Sequence, residues 1–264
     1  MPELPDVEVF RRYLVSTSLR KKIRDVTVRH NKVLGNVSAR KLHDALLGRS
    51  FVATKRHGKH LFVRFEKGAW LAMHFGMTGY LRYFTDQDPE PKYDRVVFAF
   101  AGRGQLGYYS LRLLGRLDLV ADPEREIARL GLGPDALDPA LDLATFRARL
   151  GGGRAIIKAA LMKQQAIAGM GNIYSDEILF QARIHPATRV GDLGEAQIKT
   201  LFRVMQRVLR KAIECGAEPA RLPKSWILPR RSTREPCPRC GTALARLRQG
   251  ARSAYFCPRC QPAS

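Results

Sequence analysis

The sequence predicts an α+β protein in three successive parts: a helix followed by a β-sandwich or barrel, a helical segment, and a terminal β-hairpin set between two cysteine pairs. Three observations carry this. A single helical stripe gives way to short alternating runs punctuated by Gly, Asp and Pro. Past residue 122 the texture turns helical. Four of the five cysteines close the chain as two matched pairs.

Leu4, Val7, Phe10 and Leu14 fall on one face of a helix over residues 3–16. Strands are expected at 24–29, 51–56, 60–66, 70–74, 80–84, 95–101 and 105–110. Their length and spacing suit a sandwich or barrel. Residues 123–142, rich in Pro, Asp and Gly, read as a linker with one short helical piece at 124–130. Helices follow at 143–150, 155–162, 173–182 and 194–215. Residues 216–236 carry four prolines and little pattern. Two strands, 242–248 and 252–256, flank a turn at 249–251. The expected division is 1–122, a linker at 123–142, 143–222, and a zinc module at 228–264.

Hydrophobic residues make up 45% of the 264, enough for a packed core. Lys and Arg number 46 against 24 Asp and Glu, a net charge of +22. Such a field attracts polyanions and fits poorly with an enzyme of small neutral substrates. No apolar run approaches the roughly 20 residues that span a bilayer. The first residues mix acids with arginines, unlike a secretion signal. The expectation is a nucleic-acid partner, no membrane, a cytoplasmic or nucleoid-associated location, and a monomer by default.

The chain opens Met1-Pro2-Glu3-Leu4-Pro5-Asp6-Val7-Glu8. A small second residue favours loss of Met1, which leaves Pro2 as the amino terminus. A free α-amine has a pKa of about 7.7–8.0, against about 10.4 for lysine, so it is nucleophilic near neutrality. Amines form Schiff bases with carbonyl-like carbons, and a secondary amine gives a charged iminium. Glu3 is adjacent and able to move protons. The plain alternative is a processed terminus opening a helix.

Cys237, Cys240, Cys257 and Cys260 have the spacing C-x2-C-x16-C-x2-C, that of a closed tetrahedral zinc site, with disulfides as the alternative. Cys215 stands apart and reads as packed. Arg246, Arg248 and Arg252 cluster near the hairpin tip, to bind phosphate or simply to meet solvent. In Ala168–Glu177 a glycine turn leads into a helix whose first N–H groups are a seat for phosphate, with Asn172 as cap or phosphate ligand. Plain helix packing is the other reading. Lys59 sits in the basic turn Lys55–His60, facing a phosphate or solvent. Met77, between glycines in Met73–Gly79, is a wedge for a base stack or core filler.

These landmarks, in this order over essentially the whole chain, resemble the formamidopyrimidine-DNA glycosylase/endonuclease VIII family. The resemblance rests on Pro2–Glu8, His57-Gly58-Lys59, His74-Phe75-Gly76-Met77, Gly171-Asn172-Ile173-Tyr174 and the four cysteines. It implies an N-terminal helix and β-sandwich, a helix–two-turn–helix domain and a zinc-finger hairpin, with one structural Zn2+ ion. It also implies a base-excision-repair enzyme, a bifunctional DNA glycosylase and AP lyase. Its substrates would be oxidised or abasic nucleotides in double-stranded DNA, with the base flipped from the stack. Pro2 would attack the sugar and hold it as an iminium. Glu3 would shuttle protons, Lys59 would be the essential hairpin lysine, and Arg252 would grip phosphates flanking the lesion. Elimination would then cut the strand. Met77, Tyr93, Arg112, Leu114, Arg154, Asn172, Arg246 and Arg248 would contact DNA.

The chain departs from the family's guanine-lesion branch in two places. Arg112-Leu113-Leu114-Gly115 puts a leucine where a phenylalanine wedge is usual, and 216–236 is too short for the loop that closes over 8-oxoguanine. Formamidopyrimidines, 8-oxoguanine, hydantoins and oxidised pyrimidines all stay open as substrates. The rivals are a non-catalytic binder of damaged DNA and an RNA-binding zinc ribbon. A strand-cleavage assay separates the first, and competition with structured RNA the second.

Overall fold

A computed structural model describes residues 1–89 and 92–263. By contacts the chain divides into two units. One holds Met1–Pro2 and Asp6–Leu130; the other holds Glu3–Pro5 and the chain from Gly131 onward.

The first unit is a β-sandwich. Helix α1 (Leu4–Ser18) leads into β1 (Ile23–Val28), α2 (Ala39–Leu46), β2 (Phe51–His57), β3 (His60–Phe65), β4 (Trp70–His74), β5 (Tyr80–Thr85), β6 (Asp94–Phe100), β7 (Gly104–Tyr109), β8 (Arg116–Val120) and α3 (Pro123–Arg129). The strands form two antiparallel four-stranded sheets, β1-β6-β7-β5 and β2-β3-β4-β8. Val26, Phe98, Leu106 and Tyr108 from one sheet meet Leu61, Val63, Leu71, Met73 and Leu117 from the other in a single core. Two separate sheets sharing one core make a sandwich and exclude the barrel. Val7 and Leu14 of α1 join that core.

Two elements here escaped the sequence reading. In α2, the Ser38 hydroxyl accepts from the Lys41 N–H, and Leu42 and Leu46 are buried one turn apart. In β8, which pairs with β4, Leu117 goes into the core while Arg116 and Asp118 pair with each other on the other face.

The second unit gathers α4 (Leu143–Leu150), α5 (Ile157–Met162), α6 (Asn172–Ala182) and α7 (Glu195–Glu214) around Phe146, Leu161, Ile178, Leu201, Met205 and Leu209. The Asp142 carboxylate caps α4 through the Thr145 N–H. Buried Trp226 and Ile227 anchor the 216–236 stretch, which makes two short 3-10 turns, Pro219–Arg221 and Leu228–Arg230.

The terminal hairpin is β9 (Ala245–Gln249) and β10 (Arg252–Phe256). Gln249 pairs with Arg252, so the turn is two residues long, with Gly250 at φ +58° as its first position requires. β9 starts later than expected because the Thr242 carbonyl is committed to the Cys237 N–H. Ser264, the end of the expected zinc module, lies outside the described residues. Among the described residues no helix is long and apolar enough to cross a membrane.

Candidate functional site

In the second unit the site begins with Glu3, which is 1% exposed. Its carboxylate accepts N–H bonds from Gly171 at 2.6 Å, Ile173 at 2.8 Å and Tyr174 at 3.2 Å. The Leu4 N–H donates to the Gly169 carbonyl at 2.9 Å, which fixes the chain on both sides of the contact. A Cβ on Gly169, at φ +121°, would overlap the Leu4 side chain. The first-turn donors of α6 were expected to seat a phosphate. The Glu3 carboxylate occupies them instead, because a buried anion is itself the charge that a helix N-terminus favours.

Asn172 does not cap α6 either; Gly171 holds the cap position without a side-chain bond. The Asn172 Oδ1 is buried with no hydrogen-bond partner. An acceptor left in that state is one a ligand donor can fill.

Sequence reasoning missed the buried ionic hub one turn further along α6. Asp176 accepts from Lys158 Nζ at 2.5 Å, from Arg231 Nη2 at 2.7 Å, and from the Tyr255 N–H of β10 at 3.1 Å. Lys158 also donates to the Ser253 carbonyl at 3.0 Å, and Arg231 to the Asn172 carbonyl at 3.3 Å. Burial pulls the Lys158 ammonium below the ordinary lysine value, against the opposing charge of Asp176. Beside it, burial pushes Glu177 up to about 7, though Gln181 and the Leu228 N–H bond to it. The hub therefore ties α5, α6, the 216–236 stretch and the hairpin together. A signal existed: Lys158 stands beside Ile157 and near Leu161, on a face that is otherwise buried.

The four cysteine sulfurs lie within 4.8 Å of one another. Separations of 3.5 Å for Cys240–Cys257 and 3.9 Å for Cys237–Cys260 are far from a bonded S–S length of about 2.05 Å. They match the edges of a tetrahedron with Zn–S bonds near 2.3 Å. The Arg239 and Cys260 N–H groups point at sulfurs, each at 3.4 Å, as thiolates demand. The set fits a single structural zinc ion. On the hairpin above, Arg246 and Arg248 alternate onto one face, while Arg252, opposite Gln249, takes the other. The tip arginines are thus split between two faces rather than clustered. Arg154, exposed, follows three glycines ahead of α5.

In the first unit Lys59 occupies the two-residue turn between β2 and β3, with Gly58 at φ +54°. At 8% exposure it is not a solvated turn lysine. Its charge helps burial hold His74 below the ordinary histidine range. Burial, with the charges of His74 and His57, presses neighbouring His60 down to about 3. Both rings are therefore neutral at physiological pH. Nearby, Glu8 takes a two-pronged bond from Arg11 and further contacts from Arg12 and Arg56. Burial alone would raise Glu8; these cations hold it below the usual carboxylate value. Pro2, half-buried, counts with this unit.

Met77 is 42% and Leu114 51% exposed, each on its own loop. Arg112 Nη1 lies 3.3 Å from the Met77 sulfur. The loops pack backbone to backbone: a Cβ on Gly76, at φ +58°, would overlap the Leu114 carbonyl. Core filling is thereby excluded for Met77. The Tyr93 carbonyl accepts the Ser110 N–H at 3.0 Å, bracing the base of the Arg112 loop.

A β-sandwich, a helical unit and a four-cysteine hairpin together define a zinc-finger protein of mixed α and β structure. Three family models match in succession: the formamidopyrimidine-DNA glycosylase N-terminal domain over residues 1–117, its H2TH domain over 132–223, and the zinc finger found in FPG and IleRS over 234–263. The chain belongs to the formamidopyrimidine-DNA glycosylase family. A formamidopyrimidine-DNA glycosylase of Thermomicrobium roseum is 35% identical, with 99% of each chain covered. One from Methylococcus capsulatus is 36% identical over 99% of this chain and 100% of its own. Among solved structures, Lactococcus lactis Fpg in complex with DNA containing an abasic site superposes with a TM-score of 0.88 at 30% identity, covering 99% of this chain and 100% of that one.

Proposed function

We propose that this protein is a DNA glycosylase of base excision repair that removes oxidised bases from double-stranded DNA and also cleaves the strand at the resulting abasic site. In this reading the Pro2 amine attacks C1′ of the damaged nucleotide, the base leaves, and the sugar is held as an iminium. Glu3 protonates the opening sugar and serves the later proton transfers. Lys59 and Arg252 hold the phosphates flanking the lesion. Met77, Arg112 and Leu114 fill the space left by the flipped base, and Arg112 pairs with the orphaned base. Tyr93, Arg154, Asn172, Arg246 and Arg248 add DNA contacts. The zinc ion shapes the hairpin and takes no part in the chemistry. A cytoplasmic or nucleoid-associated location and a monomeric state follow the same reading.

One observation carries the assignment: the residue next to Pro2 is a buried carboxylate held by three backbone N–H bonds, which no ordinary processed terminus needs. Borohydride should trap a covalent adduct of the mature protein with abasic duplex, and mass spectrometry should place it on the Pro2 nitrogen. An uncleaved tag ahead of Pro2 should abolish trapping and spare duplex binding. A tagged protein that traps normally refutes the Pro2 role.

A specific observation favours lesions other than 8-oxoguanine. The 216–236 stretch is short and pinned, with Ile227 fully buried and the Leu228 N–H held by Glu177 at 2.9 Å. Little chain is left there to fold over a flipped base. Single-lesion duplexes should show faster release of formamidopyrimidines, hydantoins or oxidised pyrimidines than of 8-oxoguanine.

A further inference from the structure

Met77, Arg112 and Leu114 sit on the two loops that join β5 and β7 of one sheet to β4 and β8 of the other, and Tyr80 and Tyr109 at the roots of those loops have no part in the function proposed above. β5 opens with Tyr80, three residues after Met77, and β7 ends with Tyr109, three residues before Arg112. The two tyrosines are register partners, and their rings stack with centroids 4.3 Å apart and 22° between planes. Tyr93, just before β6, meets Tyr109 edge-on at 5.9 Å and 82°. The Arg95 guanidinium lies 5.3 Å and the Lys92 ammonium 5.6 Å from the Tyr93 ring centre. The three chain segments thus line up tyrosines beside cations.

Tyr80 is exposed, and Tyr93 and Tyr109 are half-buried. Of the seven large apolar side chains most exposed among the described residues, four are Met77, Tyr80, Leu111 and Leu114, on the two loops and at their root. Opposite Tyr109 in register, Asp94 is nine-tenths buried or more, and neither carboxylate oxygen has a hydrogen-bond partner. An acceptor therefore stands unfilled beside the rings. Aromatic rings ranged across neighbouring strands, with cations at hand, offer π-faces to any base out of its stack and charge to its phosphate.

We propose that Tyr80 and Tyr109, extended by Tyr93, form a stacking platform for unstacked nucleobases of the DNA strand opposite the lesion. The proposal rests on the reading that the Met77 and Arg112 loops enter the duplex. The strand they unpair is then the one whose bases lose their neighbours nearest the root of those loops.

The test compares the wild type with a Tyr80→Ala/Tyr109→Ala variant and a Tyr80→Phe/Tyr109→Phe variant. All three would be checked for melting temperature and zinc content. Affinity for a duplex with a tetrahydrofuran abasic analogue would be measured across a salt series. Loss of a stacked base weakens binding at least about fivefold, so the alanine variant should fall by that much and the phenylalanine variant should stay near the wild type. The slope of log affinity against log salt should not change, because no phosphate contact is lost. With 5-iodouracil opposite the abasic analogue, irradiation should cross-link the wild type at Tyr80 or Tyr109. Equal affinities overturn the platform, as does a changed slope, a phenylalanine variant as weak as the alanine one, or a cross-link elsewhere. Borohydride trapping of the wild type, run alongside, reports on the Pro2 reading by itself.

Discussion

Replacing Asp94 with asparagine should move the stability of the first unit in the variant's favour as pH rises. Burial lifts the Asp94 carboxyl from 3.8 to about 6, and the charges of Arg82 and Arg29 only partly oppose this. The folded-state pKa lies above the unfolded one, so folding favours the protonated form. The penalty for ionised Asp94 is absent well below the unfolded value, builds as pH rises toward the folded value, and is complete above it. Roughly two pKa units at about 1.36 kcal/mol each set a ceiling near 3 kcal/mol. Between about pH 4 and pH 7.5 the penalty should change by about 1–2 kcal/mol once solvent reaching the strand end is allowed for. The introduced amide would itself be buried without a partner, but that cost does not vary with pH and cancels in the comparison. Urea unfolding read through Trp70, in a Trp226→Phe background, follows this unit. The Asp94→Asn protein should gain on its parent across that pH interval. A stability difference that stays flat from acid to neutral pH would refute the claim that Asp94 is ionised and unpaired in the native protein.

Glu3→Gln puts an amide donor against the N–H groups of α6; it should cost the second unit about 1–3 kcal/mol, seen as a lower melting temperature, and should abolish strand cleavage on abasic duplex. Asp176→Asn leaves buried Lys158 without its counter-charge, so about 3–5 kcal/mol should be lost. Amide hydrogen exchange should then speed up in α5, α6 and β10 while the sandwich strands keep their protection. Chelation should release one zinc per chain and weaken duplex binding, with the exchange pattern of the sandwich again unchanged. If metal loss left duplex affinity intact, the hairpin would have no part in binding.

Much of this molecule is legible in one dimension because its signals are local. The α1 stripe, the alternating strands and the amphipathic α7 each express a period that burial enforces. The cysteine spacing alone implies a cluster, since two short knuckles must share four sulfurs. Other features were harder to see. Only two leucines mark α2, and in β8 the paired charges of Arg116 and Asp118 mask the alternation. The Glu3 seat was invisible for a different reason. An N-terminal carboxylate and a helix start 168 positions later have no sequence pattern in common. Either could have served alone, and only the fold shows that each satisfies the other. The same holds for Lys158, Asp176 and Arg231, which look like surface charges until three elements close over them. The split of Arg252 from Arg246 and Arg248 depends on a register that one residue of turn length decides.

The bond between Glu3 and the start of α6 also sets a timetable. The ribosome makes Glu3 third, yet the amides that hold its carboxylate are not synthesised until residues 171–174. Until then the Glu3 carboxylate lacks those three partners. If Pro2 is the nucleophile proposed above, a half-made chain is an unarmed one, because the carboxylate beside it is held in place only when most of the polypeptide exists.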